Sequence, residues 1–208
     1  MPVVVVDHPL ITHKLSILRD KETSTKKFRE AVEEITMLLA YEATRDFPMR
    51  PVTVETPLCT MQTHKLADEK LVVLPILRAG LGMVNGMLAI YPTARVAHVG
   101  IKRDEETALP HTYYYNAPAS MSGGRVIILD PMLATAGSMC ATIDLIKEDA
   151  PAEISAVCLL AAPEGAARMD REHPDVKVYV GAMDSHLNAR SYIVPGLGDA
   201  GDRIFGTL

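Results

Sequence analysis

A run of strand-forming residues, Val126-Ile127-Ile128-Leu129, ends in an acid and passes directly into a loop of small side chains, Asp130-Pro131-Met132-Leu133-Ala134-Thr135-Ala136-Gly137-Ser138. A strand that is apolar at every position must be covered on both faces, which is the condition of a strand inside a parallel sheet. The loop from Ala134 to Ser138 has little side-chain bulk, so backbone N–H groups can close around an anion. A helix expected to begin near Ser138 aims its positive end at the same place. Thr135 and Ser138 add hydroxyl donors. Asp130 falls at the carboxyl end of the strand, where ligands bind in open α/β sheets. The combination is a seat for a phosphorylated sugar.

Similar apolar runs recur at Leu71–Ile76, Arg95–Ile101, Ile154–Leu160 and Val176–Val180, and helix-forming stretches separate them at Leu81–Ile90, Ser138–Ala150 and Glu164–Glu172. Strands alternating with helices predict an α/β fold with a mostly parallel central sheet flanked by helices. Before this core, Phe28, Val32, Ile35, Leu38 and Leu39 recur at helical spacing within Thr25–Asp46, with Ser24 as the N-cap. The stretch Arg103–Gly124 interrupts the alternation with Pro110, Pro118, Gly123 and Gly124 around Tyr113-Tyr114-Tyr115. It reads as an irregular insertion serving as a lid or subunit-contact arm. One domain, 1–208, is expected: an N-terminal helical part (1–70), a core sheet with its insertion (71–182) and a tail (183–208).

Hydrophobic residues make up 48% of the 208 positions, enough to fill one core. The net charge of −5 disfavours non-specific binding to nucleic acid or to an anionic membrane. Cys59, Cys140 and Cys158 are far apart and odd in number, which argues against a disulfide framework or a zinc site and for a reduced, cytoplasmic setting. No apolar stretch approaches the ~20 residues of a membrane span, and Met1–His8 lacks a basic leader. The seven histidines show no metal-binding spacing, and Cys140 reads as packed within its helix.

Three further segments carry chemistry. Pro75-Ile76-Leu77-Arg78-Ala79-Gly80-Leu81-Gly82 ends the first core strand, and Arg78 offers a planar charged fork suited to diphosphate oxygens. Taken alone, it is equally an ordinary strand-to-helix turn with a surface arginine. Lys102-Arg103, before Asp104-Glu105-Glu106, ends the next strand, where a basic pair can neutralise a polyphosphate; a mixed charge run is more often a solvated loop, and taken alone that reading prevails. The tail from Tyr192 to Thr207 has too many glycines for a regular helix or central strand, yet Ile193, Val194, Leu197, Ile204 and Phe205 can dock it on the body. Backbone amides held between these anchors can read a flat polar heterocycle.

Asp130–Ser138 resembles the phosphoribosyl diphosphate loop of the type I phosphoribosyltransferases. The Asp-Pro-Met-Leu-Ala-Thr version, flanked by Pro-Ile-Leu-Arg-Ala-Gly-Leu-Gly and Tyr-Ile-Val-Pro-Gly-Leu-Gly-Asp-Ala-Gly-Asp-Arg-Ile-Phe-Gly-Thr, resembles the uracil phosphoribosyltransferase family within them. The likeness runs nearly end to end, through His8-Pro9-Leu10, Tyr41-Glu42-Ala43-Thr44-Arg45, Glu105-Glu106-Thr107 and Ala161-Ala162-Pro163-Glu164-Gly165. It implies a type I phosphoribosyltransferase-like fold and transfer of a 5-phosphoribosyl group from phosphoribosyl diphosphate to N1 of uracil, giving UMP and diphosphate.

By the same resemblance, Arg78, Arg103 and Asp130 are the catalytic set, with both arginines on the diphosphate. Asp130, Pro131, Met132, Leu133, Ala134, Thr135, Ala136, Gly137 and Ser138 hold the ribose and its 5-phosphate. Ile193, Gly198, Asp199 and Ala200 hold uracil, with Asp199 also facing the donor. Mg²⁺ is implied as a cofactor carried by the diphosphate and not by a protein metal site. GTP, which activates some members of the family, becomes a candidate effector.

The rival readings are a transferase for another base and an RNA-binding pyrimidine regulator on the same fold. The first is disfavoured by Ile193, where purine-specific relatives place an aromatic, and the second by the absence of a basic stripe. The helix at Thr25–Asp46 and the tyrosine cluster offer apolar surface for a homo-oligomer. Pro131 replaces the second acid of many type I enzymes, as it does in the uracil family. Ala136 replaces the first glycine of the usual Ala-Thr-Gly-Gly-Ser loop. A negative φ at Ala136 is expected, with near-normal donor affinity.

Overall fold

The computed structural model describes residues 3–67, 70–103 and 110–207; of Arg103, Pro110 and Ser120 it describes the backbone. The chain begins with strand β1 (Val3–Val5), helices α1 (Pro9–Arg19) and α2 (Thr25–Ala43), and a hairpin of β2 (Met49–Glu55) and β3 (Thr60–Leu66). The core follows: β4 (Leu71–Leu77), a 3₁₀ turn at Ala79–Met83, α3 (Val84–Ile90), β5 (Arg95–Val96), β6 (His98–Arg103), β7 (Pro110–Asn116), β8 (Arg125–Leu129) and β9 (Met132–Leu133). It continues with α4 (Gly137–Lys147), β10 (Glu153–Ala161), α5 (Pro163–Glu172) and β11 (Lys177–Met183). The tail holds β12 (His186–Leu187), β13 (Ile193–Val194) and α6 (Ala200–Phe205).

The central sheet has the order β1-β11-β10-β8-β4-β6-β7, with β5 on β4 and β9 on β10. Every pairing in it is parallel except β6 with β7. The uniformly apolar strands are explained by their two covered faces. Along β4, Leu71 and Val73 enter one core with α1, α2 and α3, while Val72, Leu74 and Ile76 enter the other with α4 and α5. β8 divides in the same way, with Ile127 and Leu129 against Val126 and Ile128.

Helix α2 begins as its sequence predicts, with the Ser24 hydroxyl accepting from the Lys27 N–H at 3.4 Å. Its apolar stripe is consumed inside the chain: Phe28, Val32, Ile35 and Leu39 are fully buried. That stripe is therefore not free to meet a partner, and of the large apolar side chains of α2 it is Tyr41 that stays exposed. Four other expectations are revised. Part of the 103–124 insertion is regular, because Pro110–Asn116 forms an antiparallel edge strand on β6; residues 104–109, with the Glu105-Glu106-Thr107 motif, lie outside the described residues. The tail contains a short helix, α6, despite its glycines. The run Arg95–Ile101 is two strands, β5 and β6, broken at Ala97. Residues 1–70 hold three strands as well as helices.

Among the described residues no helix is long and apolar enough to cross a membrane. Cys59, Cys140 and Cys158 are free thiols, and the last two are buried. Burial pushes Cys140 up to about 12, so it is a packed thiol rather than a nucleophile.

Candidate active site

The acidic strand end is stitched to its neighbour before the loop departs. The Asp130 N–H donates to the Val157 carbonyl at 3.2 Å, and the Pro131 carbonyl accepts from the Leu159 and Leu160 N–H groups at 2.9 and 3.1 Å. β9 then pairs Met132 with Leu160 and Leu133 with Ala161, and the Leu133 carbonyl accepts from Ala162 at 2.9 Å. The small-residue loop thus leaves from a fixed backbone and re-enters at the first turn of α4. Pro131, Leu133 and Ala136 are buried, whereas Met132, Ala134, Thr135, Gly137 and Ser138 are half-buried at the loop's surface. The Thr135 hydroxyl accepts from the Gly137 N–H at 3.4 Å and rigidifies the turn.

Ala136 contradicts its expected conformation. Its φ is +59° and ψ +11°, the left-handed region, and it caps α4 from there. A Cβ in that region costs about 1–2 kcal/mol, which glycine avoids. The reason lies in the turn itself: the loop must reverse into α4 within a single residue, and the Ala136 carbonyl still accepts the first helical bond, from Cys140, at 2.9 Å. Because the strain is present before any ligand arrives, Ala136→Gly should act on stability more than on binding. Glycine's larger unfolded-state entropy offsets part of the gain, so the net is about 0.5–1 kcal/mol, or roughly 1–4 °C in Tm for a chain of this size. Thermal denaturation with a parallel donor titration checks this, with donor KM expected within twofold of the parent; an unchanged Tm would show that the strain is absent.

Above Asp130 lies a cleft of about 240 Å³, whose walls come from the two ends of the fold: Ala79, Asp130, Met132 and Ala134 on one side, and the tail from Ser191 to Ile193 and from Gly198 to Gly201 on the other. The Asp130 carboxyl is pushed up to about 7 by burial, although the Met132 N–H donates to it and opposes the shift. Asp199 caps α6, its carboxylate accepting from the Asp202 N–H at 3.0 Å. Ile193, Leu197, Ala200 and Ile204 are buried in the core, so the tail is docked as its apolar residues predict.

Of the predicted site residues, the cleft unites Asp130, Met132, Ala134, Ile193, Gly198, Asp199 and Ala200. Arg78 follows β4 just outside it, across the cis Leu77–Arg78 peptide, with its side chain 62% exposed, 3.6 Å from the Asp202 carboxylate and over the Phe205 ring. Arg103 ends β6. β8, β4 and β6 are adjacent and parallel, so Asp130, Arg78 and Arg103 all occupy one edge of the sheet. Gly80 allows the 3₁₀ turn to press on that edge: a Cβ there would stand 2.4 Å from the Leu129 carbonyl oxygen.

Four lining residues had no assigned role in the sequence reading: Ala79, Ser191, Tyr192 and Gly201. Ser191 adopts φ +63° in a turn closed by Asn188, whose side-chain oxygen accepts from the Arg190 and Tyr192 N–H groups at 2.9 and 3.0 Å. The Asn188-to-Tyr192 turn signal was present in the sequence; its position over Asp130 was not. Among the described residues no group of three or more His, Cys, Asp or Glu side chains gathers to hold a metal ion.

Residues 5–207 match the sequence profile of the family described as Uracil phosphoribosyltransferase. The chain belongs to the uracil phosphoribosyltransferase family. Relatives carrying that description include proteins from Symbiobacterium thermophilum, 56% identical over 99% of this chain and 98% of theirs, and Levilactobacillus brevis, 50% identical over 98% and 97%. A solved protein of Aquifex aeolicus, 40% identical, superposes with a TM-score of 0.92 over 98% of this chain and 97% of its own. Hypoxanthine phosphoribosyltransferase of Trypanosoma cruzi shares the fold at 17% identity, with a TM-score of 0.54 over 76% of each chain. The uracil phosphoribosyltransferase family membership thus covers the whole described fold, tail included, and the type I phosphoribosyltransferase architecture expected from the sequence is the one observed.

Proposed function

We propose that the chain transfers the 5-phosphoribosyl group of phosphoribosyl diphosphate to N1 of uracil, releasing diphosphate and UMP. The observation that carries this reading is the shared cleft: Asp130, with Met132 and Ala134 from the start of the loop that follows it, lines one wall, and the docked C-terminal tail lines the other. In this reading the loop Asp130–Ser138 holds the ribose and 5-phosphate through backbone amides and the Thr135 and Ser138 hydroxyls. Gly198, Asp199, Ala200 and Ile193 hold the base.

The chemistry asked of these residues is positioning and charge stabilisation. As the C1–O bond to diphosphate breaks, positive charge grows on the ribose and negative charge on the leaving group. Arg78, free to swing from Asp202, and Arg103 receive the diphosphate. Asp130 faces the ribose, where its carboxylate holds hydroxyls or offsets ring charge. Mg²⁺, if carried by the donor's diphosphate, would supply positive charge to the leaving group, and Asp130 and Asp199, oxygen donors on the cleft, would be the carboxylates to meet its water shell.

Base choice rests on the tail backbone. A ring N–H and a carbonyl of uracil match fixed amide and carbonyl partners, and the exocyclic amine of cytosine would leave buried polar groups unpaired. A homo-oligomer is proposed on the exposed Tyr113 and Tyr114 of β7, a cytoplasmic location on the free buried thiols, and GTP is carried forward as a candidate effector. A turnover panel of uracil, orotate and hypoxanthine, with Mg²⁺ or a chelator and with or without GTP, tests these points. UMP from uracil alone, lost on chelation, is expected; faster turnover of orotate or hypoxanthine would favour a transferase for another base.

A further inference from the structure

The loop Pro195–Asp199 is a thin wall. The cleft above Asp130 lies on one side, lined by Gly198 and Asp199, and a second hollow of about 270 Å³ lies behind it, bordered by Arg19, Lys21 and Arg203. Leu197, 3% exposed, packs the wall into the core. Packing one side chain does not fix the peptide planes on either side of it, and those planes decide where the amides of the base site point.

Three consecutive planes are held from behind. The Gly196 N–H, which belongs to the Pro195–Gly196 peptide, donates to Asp184 Oδ2 at 2.8 Å. The Gly196 carbonyl, of the next peptide, accepts from Arg19 Nη1 at 2.8 Å. The Leu197 carbonyl, of the third, accepts from Arg203 Nη1 at 2.7 Å. Arg19 and Asp184 are joined to each other by two bonds, Nη1 to Oδ2 at 2.9 Å and Nη2 to Oδ1 at 2.7 Å, with the Asp184 side chain only 5% exposed. Arg203 is fixed in turn by the Leu18 carbonyl, by the Asp20 carbonyl at 2.6 Å, and over the Phe28 ring at 4.4 Å. All of this is built on the C-terminal end of α1, whose orphan carbonyls a guanidinium satisfies.

In a trans peptide the C=O and N–H point in opposite directions. With the Leu197 carbonyl drawn back to Arg203, the Gly198 N–H is turned toward the opposite face, where Gly198 lines the cleft. We infer that Arg19, Asp184 and Arg203 are positioning residues: a backbone clamp that sets the amides reading the base while touching neither substrate. The inference rests on the reading that this tail binds uracil. A lysine at 19 or 203 would keep the charge but lose the planar fork that grips two acceptors at once.

Steady-state KM for uracil and for the donor, measured separately on the parent, Asp184→Asn, Arg19→Met, Arg19→Lys and the Asp184→Asn/Arg19→Met double variant, tests the clamp. Uracil KM should rise at least tenfold in both Asp184→Asn and Arg19→Met, with donor KM within twofold. Arg19→Lys should raise uracil KM at least threefold, and the double variant no further than the worse single, since both residues hold the same turn. Donor KM rising in step with uracil KM, unchanged uracil KM, or multiplied effects in the double variant would overturn the clamp. Arg19→Lys retains a cation beside buried Asp184 and decides the matter alone if other variants fail to fold. UMP from the parent with unselective variants refutes the clamp only; no UMP from the parent refutes the reading beneath it.

Discussion

Replacing Asp130 by asparagine is expected to lower kcat/KM at least a hundredfold while making the unliganded protein more stable above neutral pH. The carboxyl, whose ordinary value is 3.8, is pushed up to about 7 by its burial at the strand end. Below about pH 4 it is protonated in the folded and unfolded chains alike and costs nothing. Between pH 4 and 7 the unfolded chain gives up the proton while the folded chain keeps it, so stability falls as pH rises, and the full loss is reached above pH 7. At about 1.4 kcal/mol per pH unit, reduced for partial solvent access across the cleft, that loss is roughly 2–4 kcal/mol. Asparagine does not ionise. Denaturant unfolding of both proteins at pH 4.5 and pH 8 should therefore show the variant gaining ground only at the higher pH; an equal difference at both would mean Asp130 is not held as a desolvated acid. The activity loss is expected because a carboxylate held at the strand end is placed to meet the positive charge that develops on the donor.

Gly165→Ala should remove about 3 kcal/mol of stability and raise donor KM at least tenfold. Gly165 lies in the first turn of α5, directly against the loop proposed to hold the 5-phosphate: a Cβ there would stand 2.3 Å from the Ala134 carbonyl oxygen and 2.8 Å from that of Leu133. Both opposing atoms are backbone, and Leu133 is tied to β10 on its other side, so neither can yield without moving the loop. Overpacking of this kind costs about 1–3 kcal/mol when side chains can adjust, and a rigid backbone leaves the upper end. For a chain of this length the fall in Tm is about 6–12 °C. Thermal denaturation and a donor saturation curve are the measurements; a Tm within 2 °C of the parent, or a normal donor KM, would show that α5 does not brace the loop.

Much of this was legible in the sequence because burial leaves a compositional trace. Val126–Leu129 and Leu71–Ile76 announce a sheet covered on both faces, and the small residues after Asp130 announce a close backbone approach. The hairpin Met49–Leu66 left no such trace, since most of its side chains are exposed on both faces and alternation reports only a strand with one face buried. Helix α1 was signalled by Pro9 at its first turn and by Ile11, Leu15 and Leu18, which are buried on one stripe, yet it is short enough to be passed over. The left-handed Ala136 could not be read, because alanine by itself prefers negative φ and only the turn into α4 forces the other sign. Arg19 and Asp184, 165 residues apart, meet only after the sheet has formed. The part of the site carried by single segments was therefore readable, and the part carried by contacts across the fold was not.

The strand-end acid and the C-terminal tail line one cleft, and the proposed function requires uracil to meet the sugar donor there. The most direct measurement is the initial rate of nucleotide formation from phosphoribosyl diphosphate and Mg²⁺ with uracil and cytosine present together at equal concentration. UMP is expected, with CMP formed at least a hundredfold more slowly. No UMP, or UMP and CMP at comparable rates, would contradict it.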